Sequence, residues 1–104
     1  MSILTTILKK ETKRLKALAK TYRAELKTLP KGTVSLKKIR NGNYAYRVYR
    51  KGPKLRFEYL GKASSEGVRE IQAQIRARRK IESLMSRSAK NLREVLGVLR
   101  GHKG

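Results

Sequence analysis

TVSLKKIRNGNYAYRVYRKGPKLRFEYL, residues 33–60, is where the apolar period of the chain changes. Branched and aromatic residues recur with partial alternation through TVSLKKIR, NYAYRVYR and KLRFEYL, a pattern that fits pleated strands better than helix. Three antiparallel strands are predicted, at 33–40, 43–50 and 54–60. Asn41-Gly42 lies between the first two, and a type I′ turn there needs φ > 0 at both central positions. The second turn contains Lys51, Gly52 and Pro53, and its length is open.

The flanks have a different period. Leu4, Leu8, Leu15, Leu18, Tyr22, Leu26 and Leu29 are spaced by threes and fours or their sums, so residues 2–28 are predicted helical. Ser2 is a candidate N-cap, and Pro30 stops the helix. Lys9, Lys13, Lys16, Lys20, Arg23 and Lys27 step by 4, 3, 4, 3, 4, which keeps six cations in one line. Such a line is either a solvated helix face or a track for phosphates. Residues 64–99 carry a second helix, with Ser64 or Ser65 as N-cap. Val68, Ile71, Ile75, Arg78, Glu82, Met85, Ala89, Leu92, Leu96 and Leu99 alternate spacings of 3 and 4. Gly101 to Gly104 are expected to fray. At 1.5 Å per residue the helices span roughly 40 and 54 Å.

The expected fold class is therefore α+β, one domain over residues 1–104. Two long antiparallel helices form a coiled-coil-like hairpin, with the three-stranded antiparallel sheet inserted at its tip. The second helix outruns the first, which suggests a homodimer through Leu92, Leu96 and Leu99.

Sheet faces follow from the turns. A two-residue Asn-Gly turn pairs Arg40 with Asn43, sets Ile39 opposite Tyr44 and Lys37 opposite Tyr46, and places Tyr44, Tyr46 and Val48 on one face. Val34, Leu36, Ala45, Arg47 and Tyr49 take the other. If the second turn has three residues, Leu55, Phe57 and Tyr59 join Val34, Leu36 and Tyr49 as core, leaving Tyr44, Tyr46, Lys37, Lys54 and Arg56 outside. If it has four, Tyr44, Tyr46, Val48, Phe57 and Tyr59 gather as core, and Arg47, Tyr49 and Arg56 point out. A one-residue slip reverses the face.

Charge narrows the function. The chain has 28 Lys and Arg against 7 Glu and no Asp, for a net charge of +21. Residues 1–30 hold 8 bases and 2 acids, 31–62 hold 10 and 1, and 63–104 hold 10 and 4. An excess spread along the whole chain calls for a polyanionic partner, nucleic acid first and an anionic membrane surface second. No apolar run reaches transmembrane length and no signal-peptide pattern opens the chain, so the cytoplasm is the expected compartment, with nucleoid or ribosome association within it.

Little catalytic chemistry is on offer. There is no cysteine, no aspartate, and the one histidine is His102. Nucleophile–histidine pairs, thiolate metal clusters and Asp-containing acid–base pairs are excluded, and no GxxxxGK[ST] phosphate loop exists. A non-enzymatic protein with no metal, no cofactor and no small-molecule substrate is expected. RARRK, residues 76–80, has the look of a nuclear import signal, but in so basic a helix it reads as part of a charged face.

The run LPKGTVSLKKI (29–39), then NYAYRVYRKGPKLRFEYLGKA (43–63) and a charged helix resembles a small uncharacterised prokaryotic domain family. Its pattern is a helix, a Leu-Pro-x-Gly lead, a tyrosine-rich hairpin, a Tyr-Leu-Gly-Lys exit and a long helix. The resemblance covers about residues 26–96 and implies a bacterial, archaeal or mobile-element origin without an established activity. Many such members carry hairpin cysteines; this chain has none, so no metal role carries over. The strands are also similar to the arm-type DNA-binding domain of tyrosine integrases, matched here by Gly32, Thr33, Val34, Tyr46, Arg47 and Tyr49. That resemblance implies a sheet in the major groove, with Lys37, Arg47 and Arg56 as contacts; the long N-terminal helix departs from it.

The resulting expectation is DNA binding ahead of RNA or ribosome binding, with a coiled-coil adaptor for an acidic protein as a third class. Phosphate contacts are expected from Lys9, Lys13, Lys16, Lys20, Arg23 and Lys27 and from Arg76, Arg79 and Lys80. The sheet contributes Lys37, Lys38, Arg40, Tyr44, Tyr46, Arg47, Arg50, Lys51, Lys54 and Arg56, because arginine and lysine meet phosphate and base edges while tyrosine offers a stacking plane.

Overall fold

The computed structural model of the protein describes residues 2–101. The fold is α+β: helix α1 (Ile3–Leu26), strands β1 (Thr33–Ile39), β2 (Gly42–Lys51) and β3 (Lys54–Lys62), and helix α2 (Glu66–Gly101). The strands form one antiparallel sheet in the order β1-β2-β3. Residues 2–28 with 80–101 make one compact unit, and Leu29–Arg79 make another.

In the first unit, α1 opens where the sequence places its cap. Ser2 is extended, and its hydroxyl accepts the Thr5 N–H at 3.1 Å, which satisfies one of the free donors of the first turn. The helix closes at Lys27, whose N–H reaches the Arg23 carbonyl at 3.4 Å, and the Thr28 hydroxyl donates to the Glu25 carbonyl at 2.7 Å. Leu15 and Ser88 are this unit's buried residues. Leu92, Leu96 and Leu99 are half-buried. Gly101, expected to fray, belongs to α2; residues 102–104 of the expected tail lie outside the described residues.

The second unit is the sheet with the first part of α2. Its core is Ala45 from β2 and Val68 and Ile75 from α2. Ser65 stands just ahead of α2, and its carbonyl accepts the Arg69 N–H at 3.3 Å, but among the described residues its hydroxyl finds no partner.

The first hairpin turns one residue earlier than its Asn-Gly signal suggests. Ile39 pairs with Gly42, so the two turn residues are Arg40 and Asn41. The positive φ falls on Arg40 (54°) and not on Asn41, a type II′ sign pattern instead of I′. Tyr44 therefore faces Lys37 and Tyr46 faces Ser35, where the Asn-Gly turn had set them opposite Ile39 and Lys37. The shift is two residues, an even number, so each side chain keeps its expected face.

The second turn has two residues, Gly52 and Pro53, between paired Lys51 and Lys54. It gives the same register as the four-residue alternative: Arg50 opposite Leu55, Val48 opposite Phe57, Tyr46 opposite Tyr59. Tyr44, Tyr46, Val48, Phe57 and Tyr59 do share a face, yet that face is not the core. Phe57 is 57% and Tyr59 58% exposed, whereas Ala45 on the opposite face is 0% exposed. Below Tyr46 the partner jumps from Tyr59 to Gly61, leaving Leu60 unpaired as a bulge. Ala45 thereby pairs with Gly61, next to the end of β3. α2 takes the Ala45 side of the sheet, with Ile75 and Gln72 beside Val34 of β1.

Candidate nucleic-acid interface

Leaving one sheet face open has a chemical consequence. From β2 and β3 the open face presents Tyr44, Tyr46, Phe57 and Tyr59, with Leu55 and Val48 among them. Tyr46 and Tyr59 stand directly across from each other, their ring centres 5.4 Å apart and tilted by 56°. Tyr44 meets Tyr59 diagonally at 6.3 Å and 41°. A Cβ placed on Gly42 would lie 3.1 Å from the Tyr44 ring, so that ring rests over the bare glycine backbone. Gly42, which marked the turn in the sequence, instead makes room for the ring.

Cations surround the rings. Lys37 Nζ lies 5.2 Å from the centre of Tyr46 and 5.4 Å from that of Phe57, within reach of the negative ring faces. Arg50 shares this face through its pairing with Leu55, and Lys62 through its pairing with Tyr44. The bulge at Leu60 is what turns Lys62 to this side. No acid stands on the face; the sheet's single acid, Glu58, is opposite Arg47 on the other one.

Arg47, one of the expected contacts, is already engaged within the protein. Its side chain is only 14% exposed, and it donates to Glu58 Oε2 at 2.9 Å and to the Lys31 carbonyl at 2.9 Å while its guanidinium lies 3.9 Å from the Tyr49 ring centre. Arg79 donates to the Gly32 carbonyl at 3.2 Å and to the Thr33 hydroxyl at 3.1 Å, and Arg78 to the Leu29 carbonyl at 2.9 Å. Three arginines thus hold the carbonyls of residues 29–32, the lead into β1. This is the usual answer to backbone acceptors that no strand satisfies. RARRK supplies two of these clamps, and its Arg76 stays exposed in a shallow concavity beside Val34.

The remaining expected residues divide by location. Lys37, Tyr44, Tyr46 and Arg50 are brought together on the ring face, and Arg40 sits in the turn at its end. Lys38, Lys51, Lys54 and Arg56 are exposed on the opposite face. The grouping of Lys54 and Arg56 with outward tyrosines, set out for a three-residue turn, does not occur, and Arg56 shares its face with Arg47 and Tyr49 as set out for the four-residue one. Lys9, Lys13, Lys16, Lys20, Arg23 and Lys27 are all exposed in the other unit, where Lys80 is exposed too. Arg14, off that line, pairs instead with Glu11; the hydrogen bond from Arg14 is the main cause holding the Glu11 carboxyl below the usual range.

Phe57, Tyr59 and Lys62 join the surface without having been expected there. The isolated Gly61 in a strand pattern is the sequence mark of the bulge that brings Lys62 round. Nothing in the sequence marks Phe57 and Tyr59 as uncovered.

Among the described residues no helix is long and apolar enough to cross a membrane. No curated protein and no solved structure matches the chain. A family model does, from residue 4 to residue 73, from the first turn of α1 into the first part of α2: the chain belongs to the family described as a domain of unknown function (DUF6788).

Proposed function

We propose that the protein is a non-enzymatic nucleic-acid-binding protein, with DNA as the first polymer, and that the open face of the sheet is its reading surface. One observation carries this reading: exposed Phe57 and Tyr59 beside half-buried Tyr44 and Tyr46, edged by Lys37, Arg50 and Lys62, with no acid on the face, in a chain of net charge +21. Rings in water favour a partner with flat apolar surfaces, and the cations favour one with regular negative charge. Nucleic acid has both. The lysine line of α1 adds phosphate contacts that carry no sequence information. The resemblance of the strands to arm-type domains is the ground for placing DNA ahead of RNA.

The test is a titration of labelled DNA at several salt concentrations. Counterion release requires affinity to fall steeply and linearly on logarithmic axes, and removing Lys37 and Lys62 together should flatten the slope by roughly one and a half units. A binding curve indifferent to salt defeats the proposal. In direct competition DNA should displace a structured RNA; the reverse result moves the reading to RNA.

A further inference from the structure

We infer that the ring face takes an unpaired strand, its bases stacking on Tyr44, Tyr46, Phe57 and Tyr59, and not the groove of a duplex as the arm-type resemblance implies; the inference rests on the nucleic-acid reading just proposed, and single-stranded DNA is its probe. A duplex offers a protein base edges and phosphates, because the flat faces of its bases are already stacked on one another. Edge reading takes arginine, lysine, asparagine or glutamine pointing into the groove. The open face has the opposite composition: aromatic and aliphatic side chains at its centre, with Lys37, Arg50 and Lys62 around them. Ring faces recognise base faces, and those are free only in a single strand.

The end of the face near the first hairpin is shaped for one nucleotide. Ile39, Arg40, Tyr44, Tyr46 and Tyr59 line a shallow depression, wide open to solvent, on which a base has access to the rings. Three of its walls are rings. Ile39 is a fourth, and the cation beside them is Arg40, held at φ 54°, a conformation that side-chain-bearing residues seldom adopt. Strain of this kind gathers at ligand clamps. Arg40 thus serves the phosphate of the nucleotide whose base lies against Tyr44 and Tyr59.

Other occupants fit less well. A second copy of the chain would bring another net charge of +21 to a face whose charged residues are all cations. An anionic membrane would satisfy the charge but offers no flat partner for tilted rings.

The experiment compares a fluorescein-labelled single DNA strand of roughly 12 nucleotides, within the span such surfaces cover, with the same strand annealed to its complement. The single strand should bind more tightly than the duplex. It should also quench the protein's intrinsic fluorescence, which comes from 5 Tyr and no Trp. Tyr59→Leu and Phe57→Leu keep apolar bulk at exposed positions and should each weaken the single strand by about fivefold or more, as loss of one stacking plane requires. Duplex affinity should change by less than about twofold, since the phosphate contacts remain. Melting curves of the two variants confirm that they fold. Salt-dependent binding in which the duplex equals or exceeds the single strand, or in which both ring variants bind as the parent does, overturns the inference and leaves nucleic-acid binding standing. Absence of salt-dependent binding to either probe overturns both. Quenching without loss of affinity in the variants also overturns it, because the rings would then be bystanders.

Discussion

Ala45 of β2 faces Gly61 of β3 one residue out of the register that sets Tyr46 opposite Tyr59. The offset has two effects at once. It pairs Ala45 with Gly61 on the face opposite the rings, and it rotates Lys62 onto the ring face. Gly61 holds φ 113°, a region closed to side-chain-bearing residues. Gly61→Ala meets nothing closer than the Ser65 hydroxyl at 3.8 Å, so its cost is backbone strain alone, about 1–3 kcal/mol in urea denaturation. Gly97→Ala, in open space inside α2, should instead gain about 0.5–1 kcal/mol. Equal effects at the two positions would remove the strained bulge from the account.

Gly32→Ala should cost more than Gly61→Ala. Gly32 also has a positive φ, 115°, and an added Cβ would stand 2.3 Å from the Val48 carbonyl oxygen of the central strand. The backbones of the lead segment and β2 would have to separate, taking the Arg79 bonds to Gly32 and Thr33 with them. A loss on the order of 3 kcal/mol is expected from strain and clash together. A melting temperature within a degree of the parent would show that residues 29–33 are not fastened as described.

Arg47→Ala and Arg56→Ala should separate stability from binding. Arg47 leaves the Lys31 carbonyl and Glu58 without their donor, and the substitution should cost about 1–3 kcal/mol. Arg56 is exposed and has no such task, so Arg56→Ala should stay within about 0.5 kcal/mol of the parent. Measured well below the melting temperature, neither change should weaken DNA binding by as much as Lys37→Ala. A large binding loss at Arg47 without a stability loss would return the reading surface to the other face.

How the first two strands populate the faces was legible in the sequence; which face Leu55, Phe57 and Tyr59 join, and which face is buried, were not. The hairpin slipped by two residues, and because side chains alternate with period 2 the partition of Tyr44 and Tyr46 from Ala45 and Arg47 survived. The signal was misplaced because Gly42 accommodates the Tyr44 ring, leaving the left-handed position to Arg40. Burial went the other way from hydrophobicity. Four rings attract any reading that looks for a core, yet the buried residue of the sheet is Ala45, whose pairing with Gly61 lies on the other face. That pairing exists only because of the Leu60 bulge, a three-dimensional event with one faint mark in the sequence. The arginines were harder still. Arg47, Arg78 and Arg79 have the same local pattern as their exposed neighbours, and only the fold brings carbonyls of residues 29–32 within their reach.

Arg40→Gly carries the sharpest contrast. At φ 54° a residue with a Cβ is held at a cost of about 1–2 kcal/mol that glycine does not bear. Glycine loses more chain entropy on folding, about 0.4–1 kcal/mol, which offsets part of the relief. The net expectation is a protein more stable by about 0.5–1 kcal/mol, read from the urea midpoint at unchanged slope. Single-stranded DNA should nonetheless bind it more weakly, because the concavity beside Tyr44 has lost its cation. Greater stability with weaker binding cannot come from damage to the fold. Arg40→Lys supplies the complement: it keeps the charge and the strain, so it should restore most of the affinity and none of the stability. If Arg40→Gly binds as tightly as the parent, the strain at Arg40 serves the hairpin alone and the nucleotide must be held elsewhere on the face.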